Sequence, residues 1–503
     1  MTTKITKWIF GKTFFAAFAF FGLSIGAQAQ SHPALGGGDG LSSRTAYRIE
    51  TPAHLEQLEE YVNDGNGNTA GVYYIVINDL DLTNYAAGSG WYPIGRTYPG
   101  FQGNFNGNGK VITNLKINQS TTDDLGLFGN IFNASIQNLG IENCDIAGQG
   151  YVGGLVGLNY NSYISNCYAT GNISGTDYVG GLVGSSLVHY GISSTISNCY
   201  ATGNVSGTNT VGGLMGSNSN SSTISNCYAT GNVGGKNNSV GGLVGKNYNA
   251  YISNCYATGN VVGNNSVGGL VGHNYNSYNS PISYCYATGN ISGTDYIGGL
   301  VGWNDSSYPI RNCIAANYNV ISTVNAISIN RICGTTSGSF EDNYALSTMV
   351  VKKINGKVTV ISDRYSNAGM SKTMTDFQNL SFYTTANNWS RYAWDMNAVW
   401  DICAGKGLPW LRWQGINYST TEIAATTATD GIVIYPNPVK DELRIENGDL
   451  RIEKVEICDL SGKTVCQFDH LKNKINVSDL PRGIYIVKLK TDKGVVTEKI
   501  MKE

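Results

Sequence analysis

Residues that could carry out acid–base chemistry are scarce in the centre of this 503-residue chain. Hydrolysis or elimination at a sugar needs carboxylates, bases or a bound cation clustered on one surface. The charged side chains between residues 151 and 312 are Asp177, Lys236, Lys246, Asp295, Asp305 and Arg311. No two of them form an evident carboxylate pair, so the sequence argues against an enzyme.

Other catalytic signatures are also missing from the sequence. The stretch that begins at His54 lacks the second histidine of a zinc-protease helix, and there is no nucleophile elbow or Walker loop. Asp79 and Asp81 could hold a cation, although solvated aspartates at the edge of the fold explain them as well. We therefore predict no catalytic residue, no cofactor and no metal site.

Tyrosine, with 32 copies, is the side chain best suited to contact a ligand. One tyrosine recurs in each copy of a motif close to Asn-Cys-Tyr-Ala-Thr-Gly-Asn, at Tyr168, Tyr200, Tyr228, Tyr256 and Tyr286. More variable stretches add Tyr160, Tyr248 and Tyr275. Aromatic faces stack on sugar rings or on the apolar side chains of a partner. Alternatively, these tyrosines only stack on one another and stabilise a sheet.

Whether these tyrosines face outward depends on the backbone at Asn166. Strict alternation along a strand would bury Tyr168 and expose Cys167. A corner at Asn166, in the left-handed conformation that asparagine tolerates, reverses both orientations. With this corner in every repeat, the five motif tyrosines are predicted to form one exposed column with a spacing of about 4.8 Å.

Seven of the eleven cysteines recur once per repeat, at Cys144, Cys167, Cys199, Cys227, Cys255, Cys285 and Cys313. Side chains that repeat in register lie parallel and about 4.8 Å apart, whereas a disulfide needs converging Cβ atoms about 3.8 Å apart. The repeated cysteines are therefore predicted to be free, buried thiols that act as small hydrophobic side chains. Cys458 and Cys466 could pair across a turn.

The elements that position these side chains come from a repeat of about 29 residues. The motif Gly-Gly-Leu-Val-Gly, or a close variant, starts at residues 153, 180, 212, 241, 268 and 298. Short, β-branched stretches interrupted by glycine favour strands over helices. This pattern predicts a solenoid, here a parallel β-helix of the usual right-handed form. The variable stretch after each motif is predicted to be an outward loop.

These repeats resemble the GLUG motif family, which is named after its Gly-Leu-x-Gly core. The resemblance extends upstream to the Gly-Leu-Phe-Gly stretch at residue 126 and beyond, and downstream to the Leu-Pro-Trp-Leu stretch at residue 408. The family occurs on secreted and surface proteins, some adhesive and some with peptidase domains. The resemblance therefore implies a surface location and does not define a reaction.

The N-terminus is predicted to be a secretory signal peptide, residues 1–29. Positive charge at Lys4 and Lys7 precedes an apolar run that ends at Ile25. A small-x-small pattern then places cleavage between Ala29 and Gln30. No later stretch is long and apolar enough to span a membrane, so no transmembrane span is expected after processing.

The C-terminal segment, residues 432–503, alternates as short strands and is predicted to be a small Ig-like β-sandwich. Its turn and strand motifs include Tyr435, Pro436, Asn437, Pro438, Gly462, Lys463 and Gly483. Together these motifs resemble the C-terminal sorting domain of the type IX (Por) secretion system of Bacteroidetes-type bacteria. The resemblance implies recognition by that machinery, export across the outer membrane, and release or attachment to surface lipopolysaccharide. An ordinary accessory β-sandwich is the alternative.

Composition shifts predict the remaining organisation of the chain. A helix from Pro52 to Val62 carries Leu55, Leu58 and Val62 on one face and is expected to cover the N-terminal end of the solenoid. The predicted boundaries are a linker over 30–46, the N-terminal cap and first coils over 47–142, the repeat β-helix over 143–340, further coils and a cap for the other end over 341–415, and a linker over 416–431.

The functional expectation is a secreted surface protein that acts as an adhesin or ligand-binding module. A net charge of −2 excludes a nucleic-acid binder that relies on a basic surface. The ligand is either a glycan or a host or partner protein, and the sequence does not choose between them. A polysaccharide lyase or glycosidase and a passive structural spacer are the alternatives.

Overall fold

The structure of the protein is a computed structural model. The described residues are 32–33, 35–65, 67–187, 193–276, 281–360, 362–389, 392–416, 433–435, 439–446, 451–458, 464–469, 474–481, 483–492 and 494–502. The proposed cleavage site at Ala29 and Gln30 lies outside these residues, as do the sorting-motif positions Pro436, Asn437, Pro438, Gly462 and Lys463. The chain divides into two compact units, Met1–Gly415 and Ile416–Glu503.

The first unit is a parallel β-helix of about 11 turns, as the repeat predicted. Its coils pair in register, so that identical motif positions lie directly above one another. Ile164, for example, pairs with Ile196, and Ile196 pairs with Ile224. Three sheets result, parallel except for one antiparallel pair, Val350–Lys353 with Gly356–Lys357, and we call them the asparagine face, the glycine face and the tyrosine face.

The asparagine face is a sheet of eight strands that carries a column of buried amides. Each repeat strand begins within the Gly-Gly-Leu-Val-Gly motif or its variant and continues past it. The residues directly after the motif remain in the strand and keep its alternation of inward and outward side chains. The predicted outward loop therefore does not begin there. The strands are Phe128–Phe132, Val156–Tyr160, Val183–Leu187, Met215–Ser219, Val244–Tyr248, Val271–Asn276, Val301–Ser306 and Cys333–Thr336.

The glycine face contains the strands that lead into the Gly-Gly pair. The coils approach closely there, and a Cβ atom at Gly181 would collide with the carbonyl oxygen of Gly213. This close approach explains why the motif needs glycine. The strands are Gly150–Val152, Asp177–Gly180, Asn209–Gly212, Asn238–Gly241, Asn265–Gly268, Asp295–Gly298 and Ile329–Asn330.

The tyrosine face is the largest sheet and carries the recurring motif tyrosines. Most of its strands are short because each coil turns several corners on this side. The strands are Tyr47–Ile49, Tyr73–Val76, Leu80–Asp81, Asn104–Thr113, Lys116–Asn118, Ser135–Ala147, Tyr163–Ser165, Tyr168–Ser174, Thr195–Ser197, Tyr200–Ala201, Val205–Gly207, Thr223–Ser225, Tyr228–Ala229, Val233–Gly235, Tyr251–Ser253, Tyr256–Ala257, Val261–Val262, Ile282–Ser283, Tyr286–Ala287, Ile291–Gly293, Ile310–Arg311, Ile314–Ala315, Asn319–Ser322, Phe340–Glu341, Tyr344–Leu346, Val350–Lys353, Gly356–Lys357 and Met370–Lys372.

The predicted asparagine corner is present. Asn166 has φ 52° and Asn198 has φ 52°, both in the left-handed region. Ile164 and Cys167 are consequently buried, and the side chain of Tyr168 points outward. The corner amides also pair between coils, since Asn198 Nδ2 donates to Asn166 Oδ1 at 3.2 Å.

The repeated cysteines are free and buried, as predicted. Each thiol donates to a backbone carbonyl, for example Cys199 Sγ to the oxygen of Ser197 at 3.1 Å. Burial raises the pKa of the Cys167 and Cys199 thiols, so they remain neutral. Cys458 and Cys466 are also free.

A second polar column lies inside the asparagine face. Asn218 Nδ2 donates to Asn247 Oδ1 at 2.9 Å, and Asn247 donates in the same way to Asn274 at 2.8 Å. Asn274 continues the chain to Asn304 at 2.7 Å. Because each of these buried amide nitrogens finds an acceptor in the next coil, the ladder satisfies donors that would otherwise destabilise the interior.

The N-terminal helix covers Pro52–Asn63, close to the predicted range. It begins at Thr51, whose hydroxyl accepts from the backbone N–H of His54 at 3.3 Å. Leu55, Leu58 and Val62 are buried on one face as predicted. The remaining short elements of this unit are the helical turns Thr83–Tyr85, Met374–Phe377, Leu380–Thr384, Ala386–Asn388 and Arg412–Gln414, and the paired strands Trp400–Asp401 and Trp410–Leu411.

The second unit consists of two antiparallel sheets with their own hydrophobic core, in agreement with the predicted sandwich. Its centre includes Leu443, Val455 and Val487, all fully buried. One sheet contains Val433–Tyr435, Glu442–Glu446 and Lys474–Asn476. The other contains Ile452–Cys458, Thr464–Asp469, Gly483–Thr491 and Gly494–Lys502. Tyr435 and Gly483 of the predicted sorting motif therefore lie on strands.

Candidate functional site

The five motif tyrosines form a continuous column on the tyrosine face. Successive ring centroids from Tyr168 to Tyr286 lie 4.7, 4.8, 4.9 and 4.8 Å apart, and the ring planes are within 4° of parallel. In-register pairing of the strands that carry them imposes this spacing. We call this set the tyrosine column.

The column is not exposed along its whole length, which corrects the prediction. Tyr256 and Tyr286 are only 7% and 5% exposed, and Tyr168, Tyr200 and Tyr228 are half-buried. Residues 392–414, which we call the return segment, lie against the tyrosine face. Trp413 packs on Tyr228, and Trp400 on Tyr286, with ring centroids 5.9 Å apart in both pairs.

Hydrogen bonds fix the return segment to successive coils. Tyr286 donates its hydroxyl to the carbonyl of Pro409 at 2.8 Å, and Gln414 Nε2 donates to the Tyr256 hydroxyl at 2.9 Å. Trp413 Nε1 donates to the carbonyl of the corner residue Asn226 at 3.0 Å. The covered half of the column therefore already has an occupant from the same chain.

The three further tyrosines proposed as ligand contacts lie on the asparagine face. In-register strands place Tyr160, Tyr248 and Tyr275 in one outward column, separated by Leu187 and Ser219. Tyr160 packs near Phe132, with ring centroids 6.4 Å apart. Tyr248 and Tyr275 stack with centroids 5.2 Å apart.

A second outward column on the asparagine face is formed by the residue that directly follows each Gly-Gly-Leu-Val-Gly motif. In coil order its members are Leu158, Ser185, Ser217, Lys246, His273 and Trp303. Two serines in succession leave a hollow, because their neighbours in the column are all larger.

This hollow, which we call the serine groove, has a volume of about 210 Å³. Its floor consists of Ser185, Ser217 and Ser219, and its borders consist of Tyr151, Tyr178, Leu187, Lys246 and Tyr248. The floor side chains are deeply buried, whereas the tyrosines and Lys246 are half-exposed. The groove therefore joins buried hydroxyls to aromatic rings at the surface.

One wall of the serine groove is an aromatic stack at a left-handed corner. Tyr151 has φ 52° and Tyr178 has φ 54°, and their rings lie 4.9 Å apart and within 5° of parallel. The next residue at this corner is Thr210, which follows from the pairing of the flanking strand residues. Its short side chain cannot continue the stack, so one face of Tyr178 is turned towards the groove.

The polar groups of the groove are poised for hydrogen bonding. The Ser185 Oγ is buried and has no hydrogen-bond partner among the described residues. The Ser217 and Ser219 hydroxyls lie 3.2 Å apart. A ligand hydroxyl placed above this floor would satisfy a buried group that otherwise carries a desolvation cost.

Lys246 is the charged residue that borders the groove. Its ammonium lies over the Tyr248 ring, 5.7 Å from the centroid, and forms no ion pair within the described ranges. The adjacent His273 stays neutral, because burial and then the Lys246 charge lower the pKa of its ring to about 4. The groove therefore presents a single positive charge.

The acidic side chains of the first coils and of the repeats accept hydrogen bonds from neighbouring side chains. Asp81 accepts from the Thr83 hydroxyl at 2.6 Å and from Asn114 Nδ2 at 2.8 Å. Asp177 accepts from Asn209 Nδ2 at 2.8 Å. The described residues contain no group of three or more His, Cys, Asp or Glu side chains able to hold a metal ion.

Sequence reasoning did not single out Tyr151, Tyr178, Ser185, Ser217 or Lys246 as groove residues. The available signal was the alignment of the repeats on Gly-Gly-Leu-Val-Gly. The position after this motif reads Leu, Ser, Ser, Lys, His and Trp, and the position two before it reads Tyr, Tyr, Thr, Ser, Ser and Tyr. In the third repeat both positions are small, with Thr210 before the motif and Ser217 after it. These two small side chains leave a common hollow only if the strand continues past the motif.

Comparison with protein families agrees with both resemblances. Five successive segments match the GLUG motif, namely residues 148–174, 175–206, 207–234, 236–262 and 263–292. Residues 433–503 match the secretion system C-terminal sorting domain. The chain thus carries GLUG repeats and a type IX sorting domain, and the latter indicates export to the cell surface or the extracellular space. In the described part of the chain, no helix has the length and apolar character needed to cross a membrane.

Individual relatives share only part of the sequence. A "Putative Gly-rich membrane protein" of Evansella cellulosilytica is 38% identical over 130 residues, which are 25% of this chain and 14% of that protein. Halomucin of Haloquadratum walsbyi is 31% identical over 148 residues, which are 27% of this chain and 2% of that protein. A crystal structure of a "putative immunoglobulin A1 protease" from Bacteroides ovatus is 20% identical, with a TM-score of 0.43 over 76% of this chain and 96% of that chain. A likeness of this degree carries no functional conclusion.

Proposed function

We propose that this exported β-helix is a non-catalytic binding module, or adhesin, that holds a carbohydrate chain in the serine groove. The observation that carries the proposal is the open face of Tyr178 beside a floor of buried serine hydroxyls. Sugar rings bind proteins through this combination of an apolar face on an aromatic ring and hydroxyls in hydrogen bonds. An apolar patch alone would lack the hydroxyls that form hydrogen bonds with a sugar.

The periodicity of the coils supports a ring-shaped ligand. Tyr151 and Tyr178 are one coil apart, and the ring that would continue their stack is missing at Thr210. A pyranose ring lying above Ser217 would take that place, with its hydroxyls towards Ser185 and Ser219. The Ser185 hydroxyl would then gain the partner that it lacks.

The alternative functions have less support. A glycosidase or lyase requires paired acidic or basic groups, and the carboxylates nearest to the repeats are held by amide side chains or lie in separate coils. The tyrosine column is a poorer ligand surface than the groove, because the return segment occupies much of it. A passive spacer would not need an open aromatic face beside buried hydroxyls.

The proposal is tested by replacing the two stacked tyrosines of the groove. The mature full-length protein and its Tyr151→Ser/Tyr178→Ser variant are screened on a glycan array, and hits are measured by calorimetry. Loss of one aromatic contact costs about 1–3 kcal/mol, which corresponds to an affinity decrease of about tenfold or more. Melting should change little because both rings are half-exposed.

The matched control is Tyr163→Ser, which removes a tyrosine that is 54% exposed on the tyrosine face. This variant should bind every glycan hit as the wild type does. Equal binding by the groove variant and the wild type would show that the ligand lies elsewhere. Absence of any glycan binding by the wild-type protein would contradict the proposed function itself.

A further inference from the structure

We infer that the serine groove selects an acidic saccharide, one whose ring carries a carboxylate or a sulfate, and that Lys246 is the residue that recognises the acid. This inference rests on the proposed carbohydrate-binding function and specifies its ligand class. The preference for an acid follows from the position of the positive charge at the border of the groove and from its lack of an acidic partner.

Lys246 borders the hollow at the coil that follows the Ser217 floor. It belongs to the same outward column as Ser185 and Ser217, so its side chain lies on the same surface of the sheet. Its ammonium is held over Tyr248, a ring that also borders the groove. A ring stacked on Tyr178 would therefore lie between an aromatic face and a cation.

The ammonium of Lys246 contacts the Tyr248 ring but has no acidic partner among the described residues. No carboxylate lies within ion-pair distance in the described ranges, and the adjoining His273 is neutral at physiological pH. The nearest acidic member of the neighbouring outward column is Asp305, two coils away, and it accepts from the Ser337 hydroxyl at 2.8 Å. An anionic group on the ligand would be the partner that this ammonium lacks.

The overall charge of the protein does not explain a preference for acidic ligands. Its net charge of −2 gives no general attraction for anions. The repeats are also poor in charge: Lys246 is the cation that borders the groove, and the acidic residues Asp123 and Asp124 lie near Tyr151. Selectivity for an acidic ligand should therefore depend on the Lys246 side chain.

The experiment measures the affinity of the mature full-length protein for paired oligosaccharides. One pair is a uronic-acid oligosaccharide and its methyl ester, and the other is a sulfated oligosaccharide and its desulfated form. The acidic member of at least one pair should bind about tenfold more tightly than its uncharged counterpart. The two pairs distinguish a carboxylate from a sulfate as the recognised acid.

Lys246→Gln should abolish this preference, whereas Lys246→Arg should retain it. Lys236→Gln is the matched control, because Lys236 belongs to the same repeat and is exposed outside the groove. It should behave as the wild type. Melting curves of all three variants establish that each is folded.

Two results would overturn the inference, and they differ from a failure of the proposed function. Equal affinity for acidic and uncharged members, or an acidic preference that survives Lys246→Gln, would show that Lys246 does not select the ligand. Binding of no saccharide at all by the wild type would remove the proposed function and this inference together.

Discussion

At the scale of single residues, one position per coil decides the shape of the asparagine face. The residue after Gly-Gly-Leu-Val-Gly is outward-facing in every repeat, so its volume directly sets the surface. Ser217 makes the hollow, Lys246 closes it, and Trp303 fills the same position two coils later. The repeat keeps the backbone constant while this position varies.

His273 gives a pH prediction at the same position. Its pKa is lowered from 6.5 to about 4, first by burial and second by Lys246, and its ring stacks on Trp303 with centroids 4.6 Å apart. In the unfolded chain the His273 ring takes up a proton as the pH falls below about 6.5, whereas in the folded chain it does so only near pH 4. Stability is therefore lost as the pH falls through this window, by about 3 kcal/mol in total.

The measurement is amide hydrogen exchange of Val271–Asn276 and Val301–Ser306 at pH 7 and pH 4.5. Local exchange is the appropriate probe, because a repeat protein opens coil by coil. His273→Gln should remove most of the extra loss of stability at pH 4.5, because the carboxylates titrate equally in both proteins. An identical acid sensitivity in the variant would show that His273 is not the titrating group.

At the scale of elements, the return segment changes what the tyrosine column does. Its tryptophans and carbonyls contact the left-handed corner of one coil after another. Trp394 Nε1 donates to the carbonyl of Asn312 at 3.1 Å, and Trp400 Nε1 donates to Asn254 Oδ1 at 3.4 Å. The column therefore serves as an internal packing surface over its C-terminal half.

Trp400→Ala tests this packing role. Trp400 is fully buried, and removing a buried aromatic side chain costs about 3–5 kcal/mol. The loss should be confined to the return segment, because the coils are held by their own ladders. Hydrogen exchange and limited proteolysis should therefore show residues 392–414 opening while the strand carrying Tyr256 stays protected.

The control for this experiment is Trp303→Ala, which removes a tryptophan that is 36% exposed on the asparagine face. It should leave exchange in the return segment unchanged. Opening of the coils at the same rate as the return segment in Trp400→Ala would mean that the two elements form one cooperative unit.

How far the sequence predicts each element depends on whether the repeat controls it. The corner at Asn166, the buried thiols and the in-register tyrosines follow from a pattern that every coil repeats. The return segment is outside the repeat, so nothing in its own sequence indicates that Trp413 lies on Tyr228. The groove does not follow from a loop after the glycine motif, because the first residues of that stretch remain in the strand.

At the scale of the whole molecule, the proposed binding groove and the sorting domain belong to separate units. The serine groove and the return segment lie within Met1–Gly415, and the sorting domain lies within Ile416–Glu503. Each unit has its own buried core. The β-helix should therefore fold without the sorting domain, while its delivery to the surface should require it.

Deletion of residues 432–503 tests this division. The truncated protein lacks the segment that matches the sorting domain, so the type IX machinery has nothing to recognise. We expect folded protein in the periplasm, a strong decrease at the surface, and unchanged glycan affinity of the purified truncated chain. Cell fractionation and calorimetry measure these outcomes. As a control, residues 416–503 fused to an unrelated periplasmic protein should carry it outward. Normal surface display of the truncated chain would show that export depends on another part of the molecule.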